Sequence, residues 1–274
     1  MTGFSRSLKQ GQKFMQPRST LPKLNGNLAG SEEPVFRVLP QRVVDDMKHP
    51  RSESALVWNS IYPRAQPTLD LAQLLSLTPL WGSSIGPISD RLVPYYWGFD
   101  QDGRRLPNLD RVLDRIDGPG PRTEVDLFLL GEGELILVEA KHMARLGKCG
   151  RFGSGRCPEI HAVPSSSSCR YWAEGPSHFA TVLDLGLKPE LDDPAPACDS
   201  HYQLARTALV GNALSRVLNR RLHLWLIVPR MRWGALERDW IDFSERISDD
   251  QLWRRLRVLA WEDIHALGRR GIRR

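Results

Sequence analysis

Residues 123–141, TEVDLFLLGEGELILVEAK, decide the fold of this chain. Two apolar runs rich in Leu, Ile and Val, residues 127–130 and 135–138, flank a turn that contains Gly131 and Gly133. Apolar runs of this length on both sides of a glycine-containing turn predict a β-hairpin. Because the runs do not alternate with polar residues, we expect both faces of the hairpin to be covered.

Charged residues stand where the two apolar runs end. Asp126 precedes the first run, and Glu139 and Lys141 close the second. Side chains alternate across a strand, so Glu139 and Lys141 share a face, and the turn makes Asp126 and Glu139 approximate cross-strand partners. With the carbonyl of Ala140, the two carboxylates offer the oxygen ligands that Mg²⁺ or Mn²⁺ takes, and Lys141 would hold or help deprotonate an attacking water. The hairpin therefore predicts a divalent-metal site, with Glu124 at its flank.

A solvated hairpin end with a surface ion pair is the alternative interpretation. A carboxylate followed by x-Lys arises by chance about once in a chain of this length, so the motif alone carries little weight. Its apolar context favours the metal site, because charges beside covered strands would cost several kcal/mol of desolvation without a partner.

The rest of the chain alternates helices and strands around the hairpin. Helical spacing of apolar residues predicts two or three short helices near Val43, Leu56 and Leu71, before a Pro- and Gly-rich connection over residues 86–121. After the hairpin we expect a helix from Tyr202 capped by Asp199 or Ser200, strands at 222–228 and 256–261, and a last helix from Asp263. This order predicts one α/β domain with a central mixed sheet flanked by helices.

Positive charge is concentrated at the two ends of the chain. The 274 residues carry a net charge of +6. Residues 1–30 hold five basic residues and residues 269–274 hold four, and neither segment contains an acidic residue. The remaining residues, 31–268, therefore carry a net charge of about −3. We expect a basic flexible arm over 1–33, one domain over 34–268 and a basic tail over 269–274. Such ends bind phosphates without sequence preference, so nucleic acid is the expected partner. No apolar run is long enough to cross a membrane, and the N-terminus lacks a secretory signal, so we expect a cytoplasmic protein.

Residues 144–200 form an irregular insertion that contains every cysteine of the chain: Cys149, Cys157, Cys169 and Cys198. Four thiolates would hold Zn²⁺ tetrahedrally, with His161 or His178 as a substitute ligand. The spacing contains no CxxC pair, so an iron–sulfur cluster and plain thiols without metal also stay open. The insertion adds basic and aromatic residues for gripping a substrate: Lys148, Arg151, Arg156, Arg170, Tyr171 and Trp172.

The arrangement of Asp126 with Glu139-x-Lys141 on adjacent strands resembles the PD-(D/E)XK nuclease superfamily. The segment RSESALVWNSIYP, residues 51–63, is similar to the N-terminal helix that supplies an acidic residue there, here Glu53. The segment HYQLARTALVGNAL, residues 201–214, is similar to the helix that presents a glutamine, here Gln203. The closing segment LRVLAWEDI also resembles bacterial restriction-endonuclease-like members.

The resemblance implies a restriction-endonuclease-like fold and Mg²⁺- or Mn²⁺-dependent hydrolysis of phosphodiester bonds, in DNA more than RNA. It implies a role in defence against foreign DNA or in DNA processing. The implied site residues are Asp126, Glu139, Lys141, Gln203 and Glu53. Position 207 is Thr where the glutamine helix of RecB-like members has Tyr, and no proline precedes Asp126.

Two functions without catalysis stay open. A catalytically silent nuclease-fold module would bind nucleic acid or partner proteins, including a second copy of the chain, through the insertion and the basic ends. Retention of all three charged hairpin residues argues against it. A zinc-stabilised interaction protein with no nucleic-acid role is the other alternative. Independently of the function, Glu53 could equally be a solvated helix residue near an N-cap serine.

Overall fold

The computed structural model describes residues 28–49, 51–62, 69–86, 91–161, 168–191 and 194–270. The α-helices in these ranges are α1 (Gln41–Asp46), α2 (Glu53–Ile61), α3 (Leu109–Asp117), α4 (Gly150–Gly153), α5 (Ala197–Ser200), α6 (Tyr202–Leu218), α7 (Trp233–Ser244), α8 (Asp250–Trp253) and α9 (Trp261–Arg270). The strands are β1 (Trp81–Gly82), β2 (Val93–Tyr96), β3 (Leu127–Leu130), β4 (Glu134–Ala140), β5 (Arg221–Val228) and β6 (Leu256–Ala260). Short 3-10 helices lie at Pro34–Arg37, Leu71–Ser76, Arg170–Trp172, Phe179–Thr181 and Arg230–Arg232.

The strands form one mixed sheet in the order β1-β6-β5-β4-β3-β2. The central strands β4, β5 and β6 are parallel, and β1, β2 and β3 join antiparallel. The predicted hairpin is confirmed: β3 pairs with β4, with Leu127 opposite Val138 and Leu130 opposite Leu135. Continuing this register by one residue sets Asp126 opposite Glu139.

Both faces of the sheet are covered, as the unbroken apolar runs predict. On one face Leu127 and Val138 pack in a core with residues of α1, α2 and α9. On the other face Phe128 and Leu137 pack with residues of α3, α6, α7 and the insertion. The molecule is therefore an α/β protein in which helices flank a six-stranded mixed sheet.

Several expectations need correction. Residues 86–121 are more than a connection, because they contain β2 and α3. Neither Asp199 nor Ser200 caps α6; both lie in α5, and the N-cap residue is His201, which makes no side-chain capping bond. The last helix begins at Trp261 instead of Asp263.

The arm expected over residues 1–33 is not free in its last part. Leu28 is buried, and the indole of Trp58 donates to the carbonyl of Ala29 at 2.6 Å. Tyr62 donates to the buried Glu33. The remaining residues of the arm, 1–27, and the end of the basic tail, 271–274, lie outside the described residues. No helix in the described part of the chain is long and apolar enough to cross a membrane.

The insertion contributes side chains to the main core. Its segments are short, as its composition predicts, but Tyr171, Phe179 and Leu183 are buried against the sheet. The hydroxyl of Tyr171 donates to Asp117 at 2.9 Å. The insertion is thus part of the domain and not a separate loop.

Asp117, at the end of α3, is the centre of a buried polar network. Its oxygens accept hydrogen bonds from the backbone and hydroxyl of Thr123, from Tyr171, and from Arg206 at 3.0 Å. The side chain is fully buried, and that of Arg206 is 12% exposed. One carboxylate therefore joins the hairpin, the insertion and α6.

We expect Asp117→Ala to lower the free energy of unfolding by about 3–5 kcal/mol, because it removes the buried charge that pairs with Arg206 and the acceptor of the Thr123 amide. Urea unfolding measures the change. Asp114→Ala, on the same helix but in an exposed ion pair with Arg122, is the matched control and should cost under about 1 kcal/mol. Equal losses in the two variants would show that the network does not stabilise the fold.

Candidate active site

The predicted charged residues of the hairpin meet at the carboxyl end of β4. The ammonium of Lys141 lies 2.6 Å from Glu139 Oε1, and both side chains are almost completely buried. Asp126 Oδ2 accepts a hydrogen bond from the Ala140 amide at 2.9 Å, which fixes the carboxylate beside β4. Asp126, Glu139 and Lys141 therefore form one cluster instead of a solvated hairpin end.

Glu53 joins this cluster from the other side of the sheet. It is the first residue of α2, whose N-cap Ser52 accepts a hydrogen bond from the Ala55 amide. Glu53 Oε1 is 3.5 Å from the Lys141 ammonium, and Oε2 accepts from the His142 amide at 2.6 Å. The helix start thus directs Glu53 at the end of β4, and Glu53 is not a solvated helix residue.

Gln203, in the first turn of α6, contacts the cluster through its amide. Nε2 donates to Glu139 Oε1, and Oε1 accepts from the Gly147 amide at 2.7 Å. The Gly147 carbonyl in turn accepts from the backbone amide of Gln203 at 3.1 Å. Because both ends of the side-chain amide are bonded, its orientation is fixed by the first residues of the insertion. The structure brings Gln203 to the site although Thr207 departs from the RecB-like helix pattern.

Burial shifts the pKa values of the charged groups. Burial and the neighbouring Asp126 raise the pKa of Glu139 to about 8. Burial also raises the pKa of Asp126 and of Glu53, although the Lys141 ammonium acts in the opposite direction. Burial opposes the charge on Lys141, but the three carboxylates outweigh it, so its pKa is raised and the amine stays protonated. Three carboxyl groups thus surround one fixed positive charge.

The cluster contains oxygen donors of the kind that a divalent cation takes. Glu139 Oε2 is buried and has no hydrogen-bond partner among the described residues. An unpaired buried carboxylate oxygen is costly, and it is the hard donor that Mg²⁺ or Mn²⁺ takes. Asp126 supplies a second carboxylate, and the carbonyl of Ala140 as a further ligand stays a prediction. In the described ranges no group of three or more His, Cys, Asp or Glu side chains is arranged to hold a metal ion. The protonated Lys141 ammonium partly offsets the negative charge of the neighbouring carboxylates.

Two residues at the site were not foreseen from the sequence. Arg42 of α1 forms an ion pair with Glu124, and its charge also acts on Asp126 and Glu139. Trp97, which has a positive φ of 49°, lies beside Asp126: its backbone amide donates to the Asp126 carbonyl at 3.1 Å, and its side chain lowers the pKa of the Asp126 carboxyl. Arg42 and Glu124 are 82 residues apart, so no local pattern could pair them. The aromatic run before Gly98 was the one available signal for Trp97.

The aromatic residues of the insertion are not free to grip a substrate. Tyr171 is buried, and Trp172 packs against the core beside it. The basic residues Lys148, Arg151 and Arg156 are exposed and stay available for phosphate contacts. The four cysteines are free thiols, and Cys157 is buried while the others are half-buried.

No family model matches the sequence, and neither a curated protein nor a solved structure matches the chain. The protein class is therefore defined by its own fold and site. It is an α/β protein whose central parallel strand ends in a buried cluster of carboxylates around one lysine. This cluster is assembled from the hairpin, α2 and α6.

Proposed function

We propose that this protein is a metal-dependent nuclease that hydrolyses phosphodiester bonds in DNA. One observation supports the proposal most strongly: Glu53 and Gln203, which the superfamily resemblance singled out from distant segments, both contact the Glu139–Lys141 pair. The two residues lie 88 and 64 positions from their hairpin partners. A carboxylate-x-Lys motif that arose by chance would not be expected to contact both of these residues.

We further propose that the fold is restriction-endonuclease-like. The antiparallel hairpin β3–β4 carries the charged residues, α2 precedes it, and α6 follows it and leads into the parallel strand β5. This order is the one that the resemblance implies. A role in defence against foreign DNA or in DNA processing follows from the same resemblance.

Each side chain has a distinct task in this proposal. Asp126 and Glu139 would hold Mg²⁺ or Mn²⁺, which when bound lowers the pKa of a coordinated water and offsets charge on the phosphate. Lys141 is protonated, so it donates hydrogen bonds to a phosphate oxygen or to the water and does not remove the proton itself. Gln203 keeps Glu139 in place, and Glu53 orients the Lys141 ammonium.

Plasmid cleavage tests the proposal. We expect the purified chain to nick or linearise plasmid DNA in Mg²⁺ or Mn²⁺ and to stop when EDTA is added, because the carboxylates need the cation. A matched RNA substrate tests the preference for DNA. Binding of DNA without cleavage in either metal would overturn the nuclease and favour the catalytically silent module. Absence of both binding and cleavage would favour an interaction protein.

A further inference from the structure

Arg42, the second residue of α1, lies at the edge of the candidate active site. Its Nε donates to Glu124 Oε1 at 2.6 Å, and its Nη2 pairs with Glu124 Oε2. Glu124 comes two residues before Asp126, so the chain itself keeps their α-carbons within about 7 Å of each other. Burial lowers the pKa of Arg42, while the charges of Asp126 and Glu139 act to raise it. The arginine is therefore a neighbour of the carboxylate cluster.

A second set of contacts fixes α1 beside the helix that carries Glu53. Asp46, one turn after Arg42, accepts hydrogen bonds from the Ser52 hydroxyl at 2.7 Å and from the Ser54 amide at 3.0 Å. Ser52 and Ser54 flank Glu53, whose carboxylate belongs to the cluster. Because these bonds join the end of α1 to the start of α2, Arg42 and Glu53 are held on one braced pair of helices.

The Arg42 guanidinium keeps donors for a ligand. Its side chain is 65% exposed, whereas that of Lys141 is 6% exposed. A guanidinium has five N–H donors, and the Glu124 carboxylate takes one from Nε and one from Nη2. The donors that Glu124 does not use can bind a phosphate oxygen while the ion pair stays in place.

The charges of the site create a need for such a cation. Its carboxyl groups are those of Glu53, Glu124, Asp126 and Glu139. The ammonium of Lys141 is buried and already held by Glu139 and Glu53. An incoming phosphodiester would be repelled by these carboxylates, and an exposed arginine at their edge offsets the repulsion.

We propose that Arg42 binds a non-bridging phosphate oxygen of the DNA backbone beside the cleaved bond, and that Glu124 orients its guanidinium for this contact. This assignment rests on the proposed nuclease function and adds a substrate-binding residue to it. Phosphate contacts position DNA without reading its sequence, so Arg42 contributes affinity for any DNA sequence. The alternative is that Arg42 only neutralises Glu124, as exposed ion pairs often do.

DNA binding by the full chain in EDTA tests the proposal, because cleavage then does not interfere. The probe is a short fluorescent DNA duplex, titrated at several salt concentrations and followed by fluorescence anisotropy. We expect Arg42→Gln to bind about 10-fold more weakly and to lower the slope of log Kd against log salt by about 0.9. Thermal unfolding checks that the variant is folded.

Arg238→Gln is the matched control for this variant. Arg238 is an exposed arginine of α7 that lies near Asp242, on the opposite side of the sheet from α1. Its loss removes the same charge far from the site and should leave affinity within about twofold of wild type, with the salt slope unchanged.

The double variant Arg42→Gln/Glu124→Gln separates a phosphate contact from simple neutralisation. It removes both charges of the pair, so the local net charge equals that of wild type. If Arg42 contacts phosphate, the double variant should stay at least about 5-fold weaker than wild type and keep the lowered salt slope. Recovery of wild-type affinity and slope would show that Arg42 only neutralises Glu124, and would overturn the proposal.

Binding and cleavage together distinguish the Arg42 contact from the nuclease function. If wild type binds and cleaves DNA but Arg42→Gln binds with the same affinity and slope, the Arg42 assignment alone is wrong. If wild type binds without cleaving in Mg²⁺ or Mn²⁺ and Arg42→Gln is weakened as expected, the nuclease proposal is wrong and the phosphate contact stands. A wild-type chain that binds no DNA overturns both.

Discussion

Lys141→Met is expected to lower the rate of DNA cleavage by about 10²–10³-fold, because it removes the buried positive charge that would contact the phosphate. Methionine keeps most of the aliphatic stem, which limits the change in packing. The loss of charge leaves three carboxyl groups together, and Glu139, whose pKa is already raised to about 8, can stay protonated at neutral pH. We therefore expect the fold to survive, as measured by circular dichroism.

A control for this variant lies on the same hairpin. Glu132 is exposed in the turn between β3 and β4, at the far end of β4 from Lys141. Glu132→Gln changes one charge there and should leave the rate within about twofold, because solvent screens an exposed charge at that distance. If Lys141→Met folds and cleaves as fast as Glu132→Gln, Lys141 has no part in the chemistry.

Glu139→Gln is expected to stop metal-dependent cleavage and to stabilise the metal-free protein at alkaline pH. Burial raises the pKa of Glu139 from 4.5 to about 8, so the folded protein keeps a proton that the unfolded chain loses between these values. Stability of the metal-free wild-type protein therefore falls as the pH rises through this window. Glutamine stays neutral and avoids this loss.

Thermal unfolding in EDTA measures the effect. The gain of Glu139→Gln over wild type should be about 1–3 kcal/mol near pH 9 and should vanish below pH 4.5, where the wild-type carboxyl is protonated in both the folded and the unfolded protein. Added Mg²⁺ should stabilise the wild-type protein and leave the variant unchanged, because the cation would bind the ionised carboxylate. A variant that is less stable than wild type near pH 9 would contradict the interpretation that burial disfavours the ionised form of Glu139.

The hairpin could be predicted from sequence because its information is local. Unbroken apolar runs predicted covered strands, and a glycine turn set the register that places Asp126 opposite Glu139. Glu53 and Gln203 were reached through resemblance, since a single sequence does not say which distant helix meets which strand. Their contacts with Lys141 and Glu139 are a property of the tertiary fold.

Other features were missed for identifiable reasons. β2 contains Pro94 and is short, so it reads as a turn, although an edge strand tolerates proline. The spacing of Leu109, Val112, Leu113 and Ile116 on α3 was readable as a helix, but the surrounding Gly and Pro residues hid it. Asp199 looked like a helix cap because of its position, yet its carboxylate accepts from the Cys149 amide.

The rate of plasmid cleavage in Mg²⁺, compared between wild type and Asp126→Ala, tests the central claim most directly. Asp126 is bonded to the backbone of β4 and lies beside Glu139, so its loss should remove a ligand without unfolding the hairpin. We predict that wild type cleaves and that the folded variant is at least ~10³-fold slower. A folded Asp126→Ala protein that cleaves at the wild-type rate would contradict the proposed active site.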